Sequence, residues 1–424
     1  MYQVGKIAVL FLIFILGCAN SENDPTVLKF WAMGAEGEYV SQLLPEFEKE
    51  NPNIEVKVQQ VPWTAAQEKL ITAFASEKLP DVFQLGNTWV PQFHSLSAIE
   101  NLSEYVEKST SIDESNYFPG IWDTNVLDST IYGIPWYIDT RVLYYRSDIL
   151  KRAGFDHPPR TWDELYEISK SIKKVLADKN KYAIYLPSNE WAPFVIWGLQ
   201  NNATLLKSNN SYGNFSSPEF KEAFAFITKF HKEKLAPIGM TEVNNVFQAF
   251  KDEYFSMYIS GPWNIKDFKL WLTDSLENSW MIAPLPAPTD EYPGASLAGG
   301  SSLVINSKSE VKQEAWKLIE FLSRKKVQLE FYKLLNDLPA VKSAWMDSIF
   351  VNDKFLKVFY TQFLNVKATP KIAEWEQIAF SKIQQYAEYT VREVMTVDEA
   401  LAALDKDINE ILKKRRWLLD KNEQ

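Results

Sequence analysis

The composition of this 424-residue chain restricts both its size class and its chemistry. A chain of this length usually divides into two domains or lobes. Its 46% hydrophobic and 24% charged residues, without long polar tracts, exclude disorder as a description of the whole. The net charge of −10 disfavours nucleic acid and anionic lipid as partners. A single cysteine excludes internal disulfides and a four-cysteine zinc site, and three scattered histidines disfavour a histidine-rich metal centre.

The start of the chain is typical of an export signal. Residues 7–16 are uniformly apolar behind Lys6, which suits the core of a signal peptide and is too short to span a bilayer. Cys18 follows in a string that resembles the bacterial lipoprotein processing site, which implies removal of residues 1–17 and a lipid on the cysteine sulfur. The alternative is an ordinary secretory signal with a chance cysteine. The polar residues up to position 26 would tether the folded body to a membrane outside the cytoplasm.

The next part of the chain predicts alternating strands and helices. Residues 54–58 alternate apolar and polar side chains, the period of two that is typical of a strand with one buried face. The full set of predicted elements is a strand at 26–31, a helix through 43–47, a strand at 54–58, a helix at 65–79 and a strand at 81–85. This βαβαβ order predicts a parallel sheet and an α/β protein.

The segments that follow these strands predict a small-molecule site. In an open parallel sheet, ligands bind beyond the carboxyl ends of the strands. Here those ends carry residues 32–36, 61–63 and 86–89, which supply polar groups and the indoles of Trp63 and Trp89. Packing at a domain edge is the alternative role for either indole.

Two capping-box sequences predict the starts of later helices. Thr161–Glu164 should open a helix with an apolar stripe that ends at Leu176, and Thr396–Glu399 should open the last helix. That last helix would carry the basic run Lys413–Arg416 in its final turns, where the cations complement the helix dipole and form a solvated face. Residues 277–301, rich in Pro and Gly, predict an extended connection.

The common catalytic motifs are absent from the sequence. It contains no GxSxG elbow, no GxxxxGK[ST] loop, no HExxH pair and no GxGxxG turn. We therefore predict no cofactor and no catalytic residue. Carboxylates are plentiful, however, and a glycosidase pair is defined by a separation in space that a sequence does not reveal. An extracellular glycoside-degrading enzyme stays open as an alternative.

Six segments, in order, carry a resemblance to a known family. They are LPDVFQLG at 79–86, YGIPWYIDTRVLYYRSDILKRAGFDHPPRTWDEL at 132–165, GPWN at 261–264, AGGSSLVINSKS at 298–309, AWKLIEFL at 315–322 and LPAVKSAW at 338–345. Together they resemble the bacterial extracellular solute-binding proteins of the sugar-binding type. These serve ABC importers and include the maltose- and trehalose-binding proteins. The resemblance runs from about residue 27 to the end of the chain.

The resemblance implies a two-lobed periplasmic-binding-protein fold of the type II kind, with the ligand cleft between two α/β lobes. The implied chain crossings lie near 138–143, 292–300 and 338–345. Lobe one would hold 27–138 plus 297–340, and lobe two 139–296 plus 341–424. The implied partners are a sugar or oligosaccharide and the transmembrane subunits of an ABC permease, and we expect a monomer that acts without a cofactor or metal.

The resemblance also implies which residues hold the ligand. Tyr137 and Asp139 match the ligand-facing loop at the first crossing, and Trp263 matches the stacking platform of lobe two. The remaining expected contacts are Glu36, Asn87, Trp89, Glu190, Trp191, Gly299, Gly300, Ser301 and Trp345. Asn87 stands near a position where relatives often carry an acid, which leaves that contact open. The alternative roles are core packing for Trp263 and Trp345 and a turn cap for Asp139. For the glycines, the alternative is that they only allow the chain to cross between the lobes.

These residue types suit a carbohydrate on chemical grounds. A sugar presents hydroxyls at its edge and C–H patches on its faces. Carboxylates can therefore accept hydrogen bonds from the hydroxyls, and flat aromatic rings can stack on a face. Hydrogen bonds to charged groups contribute roughly 1.5 to 3 kcal/mol each, which makes the carboxylates the source of specificity. An acidic aromatic cleft would also hold an amine, so a polyamine stays open as an alternative ligand, as does a phosphate ester, whereas one cysteine and three histidines disfavour a metal chelate.

Overall fold

The computed structural model of the chain describes residues 25–239, 245–273 and 276–422. The predicted signal peptide at 1–17 and the lipidation site Cys18 lie outside this part of the chain. In the three described ranges no helix has both the length and the apolarity that crossing a membrane requires.

The described strands and helices alternate along most of the chain. The strands are β1 Thr26–Met33, β2 Ile54–Val61, β3 Val82–Gly86, β4 Val126–Leu127, β5 Thr130–Ile131, β6 Ile134–Asp139, β7 Val142–Arg146, β8 Tyr182–Tyr185, β9 Leu206–Lys207, β10 Tyr212–Gly213, β11 Phe255–Ser260, β12 Trp280–Ala283, β13 Ser296–Leu297, β14 Gly299–Ile305, β15 Leu338–Pro339 and β16 Val366–Lys367. The α-helices are α1 Gly34–Tyr39, α2 Leu44–Glu50, α3 Trp63–Ala75, α4 Val90–Ser95, α5 Ser103–Lys108, α6 Pro119–Asp123, α7 Ser147–Arg152, α8 Trp162–Leu176, α9 Trp191–Gln200, α10 Pro218–Lys232, α11 Val246–Lys251, α12 Asn264–Trp271, α13 Lys312–Leu322, α14 Lys325–Leu335, α15 Ser348–Asn352, α16 Lys354–Phe363, α17 Trp375–Gln377, α18 Gln384–Val391, α19 Val397–Ile411 and α20 Lys413–Asn422. Short 3₁₀ segments at Val40–Gln42, Asn87–Trp89, Glu114–Asn116 and Lys342–Met346, and a π-helical segment at Ile378–Ile383, complete the described elements.

Lobe one is built on a six-stranded sheet with the order β15-β6-β14-β3-β1-β2. The strand β1 pairs in parallel with β2 and β3, as the βαβαβ pattern predicts. The other half of the sheet is antiparallel, because β14 runs against both β3 and β6, and β15 runs against β6. The sheet is therefore mixed, and the sequence pattern predicted only its parallel half.

Lobe two is built on a four-stranded sheet with the order β12-β7-β11-β8. Its strand β11 is parallel to β8 and antiparallel to β7, and β12 closes the other edge of the sheet against β7. Helices α8, α9, α10, α18 and α19 contribute apolar side chains to one buried cluster with this sheet, which includes Trp197, Met257 and Leu404. The protein thus has the two-lobed α/β architecture expected from the sequence.

Three chain segments meet where the two sheets adjoin. Thr140, between β6 and β7, donates its hydroxyl hydrogen bond to the carbonyl of Leu297 at 2.8 Å. The hydroxyl of Ser296 donates to the carbonyl of Arg141 at 2.9 Å. The short strand β13 pairs in parallel with β16. The segments near residues 140, 297 and 366 therefore form the connection between the lobes.

The third connection differs from the expectation near 338–345. Strand β15 belongs to the lobe-one sheet, and the following segment Lys342–Met346 still contacts lobe one: the backbone N–H of Ser343 donates to Asn116 at 2.9 Å. The next helix to reach lobe two is α16, which packs against β7 and β12. The reason is that Trp345 of this segment is buried, with its ring packed against Phe118 of lobe one.

The two capping-box predictions have different outcomes. Helix α8 begins at Trp162, with the Thr161 hydroxyl accepting from the N–H of Glu164, and its stripe ends at Leu176 as predicted. Thr396 and Glu399 form the complete box that opens α19. The prediction that Lys413–Arg416 ends this helix is wrong, because α19 ends at Ile411 and the basic run begins the separate helix α20.

The basic run is also not purely solvated. The guanidinium of Arg416 donates to the backbone carbonyls of Ser211 at 2.8 Å and Asn409 at 2.6 Å, which anchors α20 to lobe two. Residues 277–301 contain strand β12 and the start of β14, so the predicted extended connection is confined to 284–295.

Gly300 provides the first test of the packing between β6 and β14. Its φ is +116°, and an added Cβ would lie 2.3 Å from the carbonyl oxygen of Tyr137. Gly154, with φ +94°, has no atom within 4 Å of its added Cβ and is the matched control. Both alanine variants suffer backbone strain, of about 1–3 kcal/mol, but only Gly300→Ala adds a backbone clash. We expect Gly300→Ala to lower the urea midpoint clearly more than Gly154→Ala, and equal midpoints would contradict this packing.

Candidate ligand-binding cleft

A cavity of about 590 Å³ lies between the two lobes. The six-stranded sheet and its loops line it with Glu36, Tyr137, Asp139 and Asp337, and lobe two lines it mainly with Trp263 and the helix α12 that follows. The volume falls within the roughly 300–1,000 Å³ that is typical of small-molecule sites. The cavity combines acidic and aromatic groups that come from distant parts of the sequence.

The carboxylate of Glu36 stands just beyond the carboxyl end of β1. It accepts a hydrogen bond from the phenol of Tyr137 at 2.7 Å and from the indole N–H of Trp63 at 3.3 Å. Gly34, with φ +49°, permits this approach, since its added Cβ would lie 2.7 Å from the Trp63 ring. Burial, with the negative charge of Glu36 as the next cause, raises the pKa of Tyr137 well above its ordinary value. The phenol is therefore a hydrogen-bond donor at neutral pH.

Asp139, at the end of β6, is held from two sides. Its carboxylate pairs with the guanidinium of Arg141 at 3.1 Å, and Gly299 lies opposite it on β14. A Cβ on Gly299 would come within 2.2 Å of the carboxylate, so any larger residue there would displace the Asp139 side chain. Burial raises the pKa of Asp139, and the positive charge of Arg141 opposes that rise. The carboxylate edge remains next to the cavity.

Trp263 provides the aromatic wall of lobe two. It stands at the N-terminus of α12, keeps 50% of its surface exposed, and has the guanidinium of Arg141 4.7 Å from its ring centre. The ring folds back over Gly261, where an added Cβ would meet the indole at 2.0 Å. The carbonyl of Gly261 accepts from the Tyr144 hydroxyl at 2.6 Å, which fixes this turn. A large exposed indole in a cavity is suited to stacking on an apolar ligand face.

A second group of predicted residues lies on the lobe-two side, near Arg141. Burial raises the pKa of Glu190, and the charge of Arg141 opposes this rise, which places the two side chains within electrostatic reach. Trp191, the first residue of α9, packs edge-on against Trp375 at 5.8 Å between ring centres and against Phe380 at 5.9 Å. Trp191 is only partly buried in this aromatic group.

The two lobes also contact each other directly beside Trp89. Trp89 packs edge-on against Trp63 at 5.7 Å between ring centres. Burial raises the pKa of Glu376, in α17, and hydrogen bonds from the side chains of Thr88 and Trp89 oppose that rise. Nearby, the ammonium of Lys371 donates to the Asp123 carboxylate at 2.8 Å. These polar contacts would have to break or rearrange if the lobes separated.

Of the predicted residues, Glu36, Tyr137, Asp139 and Trp263 line the cavity, whereas Asn87, Trp89, Glu190, Trp191, Gly299, Gly300, Ser301 and Trp345 lie outside its lining. Asn87 is buried, with its side-chain oxygen accepting from the Ser302 hydroxyl at 2.9 Å, and Ser301 is buried with its hydroxyl on the carbonyl of Leu85 at 2.9 Å. Gly300 packs against β6. Trp345 is 2% exposed and donates its indole hydrogen bond to the carbonyl of Pro339, so it belongs to the core.

Sequence reasoning did not assign several residues beside the cavity or at the lobe contact, among them Arg141, Asp337, Trp63 and Glu376, as well as Lys266, Lys269, Tyr332 and Asp353. Arg141 lies two positions after Asp139, inside the segment 132–165, and Asp337 directly precedes the segment 338–345. Both therefore lie in or next to segments that carry the family resemblance. Trp63 was noted at a strand end but its bond to Glu36 was not foreseen. Glu376 carried no local signal, because its partners Thr88 and Trp89 are remote in sequence.

Comparison with known proteins places the chain among binding proteins. The sequence profile of the family described as bacterial extracellular solute-binding protein matches residues 32–329. The solved structure of the sugar-binding protein MalE from the phytopathogen Xanthomonas citri is similar with a TM-score of 0.90 and 44% identity, covering 93% of this chain and 99% of that one.

Two further relatives are more distant. The solute-binding protein of Thermotoga lettingae, solved with bound α-D-tagatose, has a TM-score of 0.74 and 25% identity, covering 91% of this chain and 100% of that chain. The diacetylchitobiose-binding protein DasA of Streptomyces coelicolor is 28% identical over 70% of this chain and 68% of its own length. The protein therefore belongs to the family of bacterial extracellular solute-binding proteins.

Proposed function

We propose that the protein is the carbohydrate receptor of an ABC importer, which captures a sugar or oligosaccharide and delivers it to the permease. The observation that carries the proposal is the meeting of Tyr137, Asp139 and Trp263 at one cavity between the lobes. Acceptors for hydroxyls and a flat ring for a sugar face thus lie side by side. The sugar-binding relatives support the same ligand class.

The proposed mechanism is closure of the lobes around the ligand. A sugar that contacts Glu36 on lobe one and Trp263 on lobe two has more contacts when the lobes are closed, and this differential affinity shifts the population toward closure. The direct contact of Glu376 with Thr88 and Trp89 would form part of the closed arrangement. The permease would then recognise the closed form.

The remaining parts of the proposal concern location, organisation and site. We propose residues 1–17 as a removed signal peptide, a lipid on Cys18 that holds a monomer at an extracytoplasmic membrane surface, and the lobe division 27–138 plus 297–340 and 139–296 plus 341–424, with the lobe-one contacts of Lys342–Met346 noted above. The ligand contacts are proposed to be Glu36, Trp89, Tyr137, Asp139, Glu190, Trp191 and Trp263. Metabolic labelling with a fatty acid tests the anchor: we expect label in the wild type and none in Cys18→Ala.

Two other functions make distinct predictions. A glycoside-degrading enzyme needs a protonated acid near an ionised carboxylate, and acids do lie together here, so the experiment must look for products. A polyamine receptor would use the same acids with Trp263 as a cation–π partner. Neither alternative predicts that a neutral sugar binds to the protein and is recovered unchanged.

A thermal-shift screen decides among these functions. The purified protein is heated with maltose, trehalose, N,N′-diacetylchitobiose, spermidine and glycerol 3-phosphate in turn, and the sugars are analysed afterwards by chromatography. We expect at least one neutral sugar to raise the Tm and to be recovered intact, since ligand at 100 times its Kd stabilises by about 2.7 kcal/mol. Stabilisation by spermidine alone, or release of smaller sugars, would contradict the proposal.

A further inference from the structure

The acids that line the cavity differ in how they are compensated. Glu36 accepts from Tyr137 at 2.7 Å, and Asp139 pairs with Arg141 at 3.1 Å. Asp353 accepts from the backbone N–H of Phe355 at 2.7 Å at the start of α16 and lies 3.6 Å from the ammonium of Lys269. Asp337 differs from these three: within the described residues, neither a hydrogen bond nor a positive charge acts on its carboxyl group.

The backbone fixes Asp337 beside the other acids. It stands between the left-handed cap of α14 at Asn336 and strand β15, whose Leu338 pairs with Ile138 of the antiparallel neighbour β6. Continuing this register places Asp337 opposite Asp139. Tyr137 and Asp139 are two apart on β6 and so point to the same face, on which Tyr137 bonds to Glu36. The three acids therefore occupy one face of the sheet edge.

This arrangement makes the charged form of Asp337 unfavourable. Burial, then the negative charges of Glu36 and Asp139, raises the pKa of Asp337 to about 8. The group thus carries its proton at neutral pH and is a hydrogen-bond donor into a cavity whose other acids are acceptors. A neutral acid beside fixed acceptors can distinguish ligand oxygens that accept from hydroxyls that donate.

We propose that Asp337 is a specificity-determining residue, which donates a hydrogen bond from its neutral carboxyl group to an acceptor oxygen of an uncharged sugar, such as a ring or glycosidic oxygen. This inference rests on the proposed carbohydrate function and adds that the uncharged sugar is bound by the protonated form of Asp337. A cationic ligand would instead displace the proton from Asp337, so the sign of the pH dependence separates the two ligand classes.

The other titratable groups around the cavity set the background for this effect. Tyr332 lines it from α14, and burial followed by the charge of Asp353 raises the pKa of this tyrosine to about 12. Lys266 and Lys269 line it from α12. Because a variant at position 337 keeps all of these side chains, the difference between wild type and variant reports the contribution of Asp337.

The sign of the pH dependence follows from the proton. A sugar that binds the protonated form raises the pKa of Asp337 in the complex above its value in the free protein. Affinity is then full below pH 8 and falls as the pH rises through 8 and 9. For one hydrogen bond, which is worth up to about tenfold in affinity, we expect Kd to rise about fivefold between pH 6 and pH 9.

The test measures Kd by calorimetry from pH 6 to pH 9 with maltose, trehalose and N,N′-diacetylchitobiose. Asp337→Asn replaces the acid by an amide that donates at every pH, so we expect nearly wild-type affinity at pH 6 and little change up to pH 9. Asp337→Leu should bind about tenfold more weakly at pH 6, because the donor is lost. Glu330→Gln, at a half-buried acid on α14 outside the cavity lining, is the matched control and should follow the wild type.

Each outcome decides one proposal. If a sugar binds with the same pH profile to wild type and Asp337→Asn, the role of Asp337 is overturned while the receptor function stands. If Asp337→Leu also keeps full affinity, the same conclusion follows. If the three sugars fail to bind at pH 6 and spermidine binds with release of a proton, the carbohydrate function itself is overturned.

Discussion

Trp263→Ala is expected to remove most of the affinity for sugar while leaving the free energy of unfolding nearly unchanged. The indole keeps 50% of its surface exposed and lines the cavity, so its apolar face serves the ligand more than the core. Aromatic residues at the centre of a binding site commonly contribute about 2 kcal/mol or more, so Kd should rise at least about 30-fold. Calorimetry with the sugar identified by thermal shift measures this change.

A matched control separates stacking from general loss of aromatic surface. Trp417, on α20, is 54% exposed and lies outside the cavity lining, so Trp417→Ala should bind as the wild type does. Trp263→Phe keeps a smaller flat face and should fall between wild type and alanine. Wild-type Kd in Trp263→Ala, with an unchanged unfolding curve, would exclude Trp263 as the stacking surface.

Asp139→Ala is expected to weaken sugar binding by about 10- to 100-fold, since a hydrogen bond to a charged group contributes roughly 1.5–3 kcal/mol. The change also leaves Arg141 without its 3.1 Å partner, beside the ring of Trp263. The side chains of the pair are only 27% and 22% exposed, so removing one partner leaves the other partly uncompensated and should cost about 1–3 kcal/mol of folding stability. Kd is measured by calorimetry and stability by urea unfolding.

The control for Asp139 is an ion pair of the same kind away from the cleft. Glu388 pairs with Arg392 at 2.7 Å on the surface, and Glu388→Ala should leave Kd unchanged. Asp139→Asn preserves the shape next to Gly299 and removes only the charge. If the asparagine variant binds the sugar with wild-type affinity, binding does not depend on the carboxylate charge, and the assignment of Asp139 as a charged acceptor fails.

The local elements of the fold were predictable because their signals are local. The period of two at 54–58 predicted β2, and the Thr161 and Thr396 caps predicted where α8 and α19 begin. The prediction for the last turns failed because α19 ends at Ile411, with the buried Leu412 as its C-cap. Burial of that side chain depends on neighbours that the stripe itself does not identify.

The candidate site was predictable to the extent that it follows strand ends. Glu36 and Trp63 follow β1 and β2, whose parallel pairing is implied by the βαβαβ order, and these side chains do meet at 3.3 Å. The role of Trp345 was not predictable in this way. The centre of its ring lies 5.9 Å from that of Phe118 and 5.7 Å from that of Phe363. Phe118 is more than two hundred residues away in the sequence, so no local pattern indicates this core contact.

The sequence by itself determined the local elements and the side chains next to them: strands with a period of two, helices with their caps, and acids and indoles that directly follow strand ends. Only the tertiary structure decided which of those groups share a space. Asp337 meets Asp139 because β15 joins β6 in one register, and Glu36 and Trp263 line one cavity because the two lobes adjoin. Periodicity and capping are short-range properties of the chain, whereas strand pairing between distant segments depends on the free energy of the whole packed molecule.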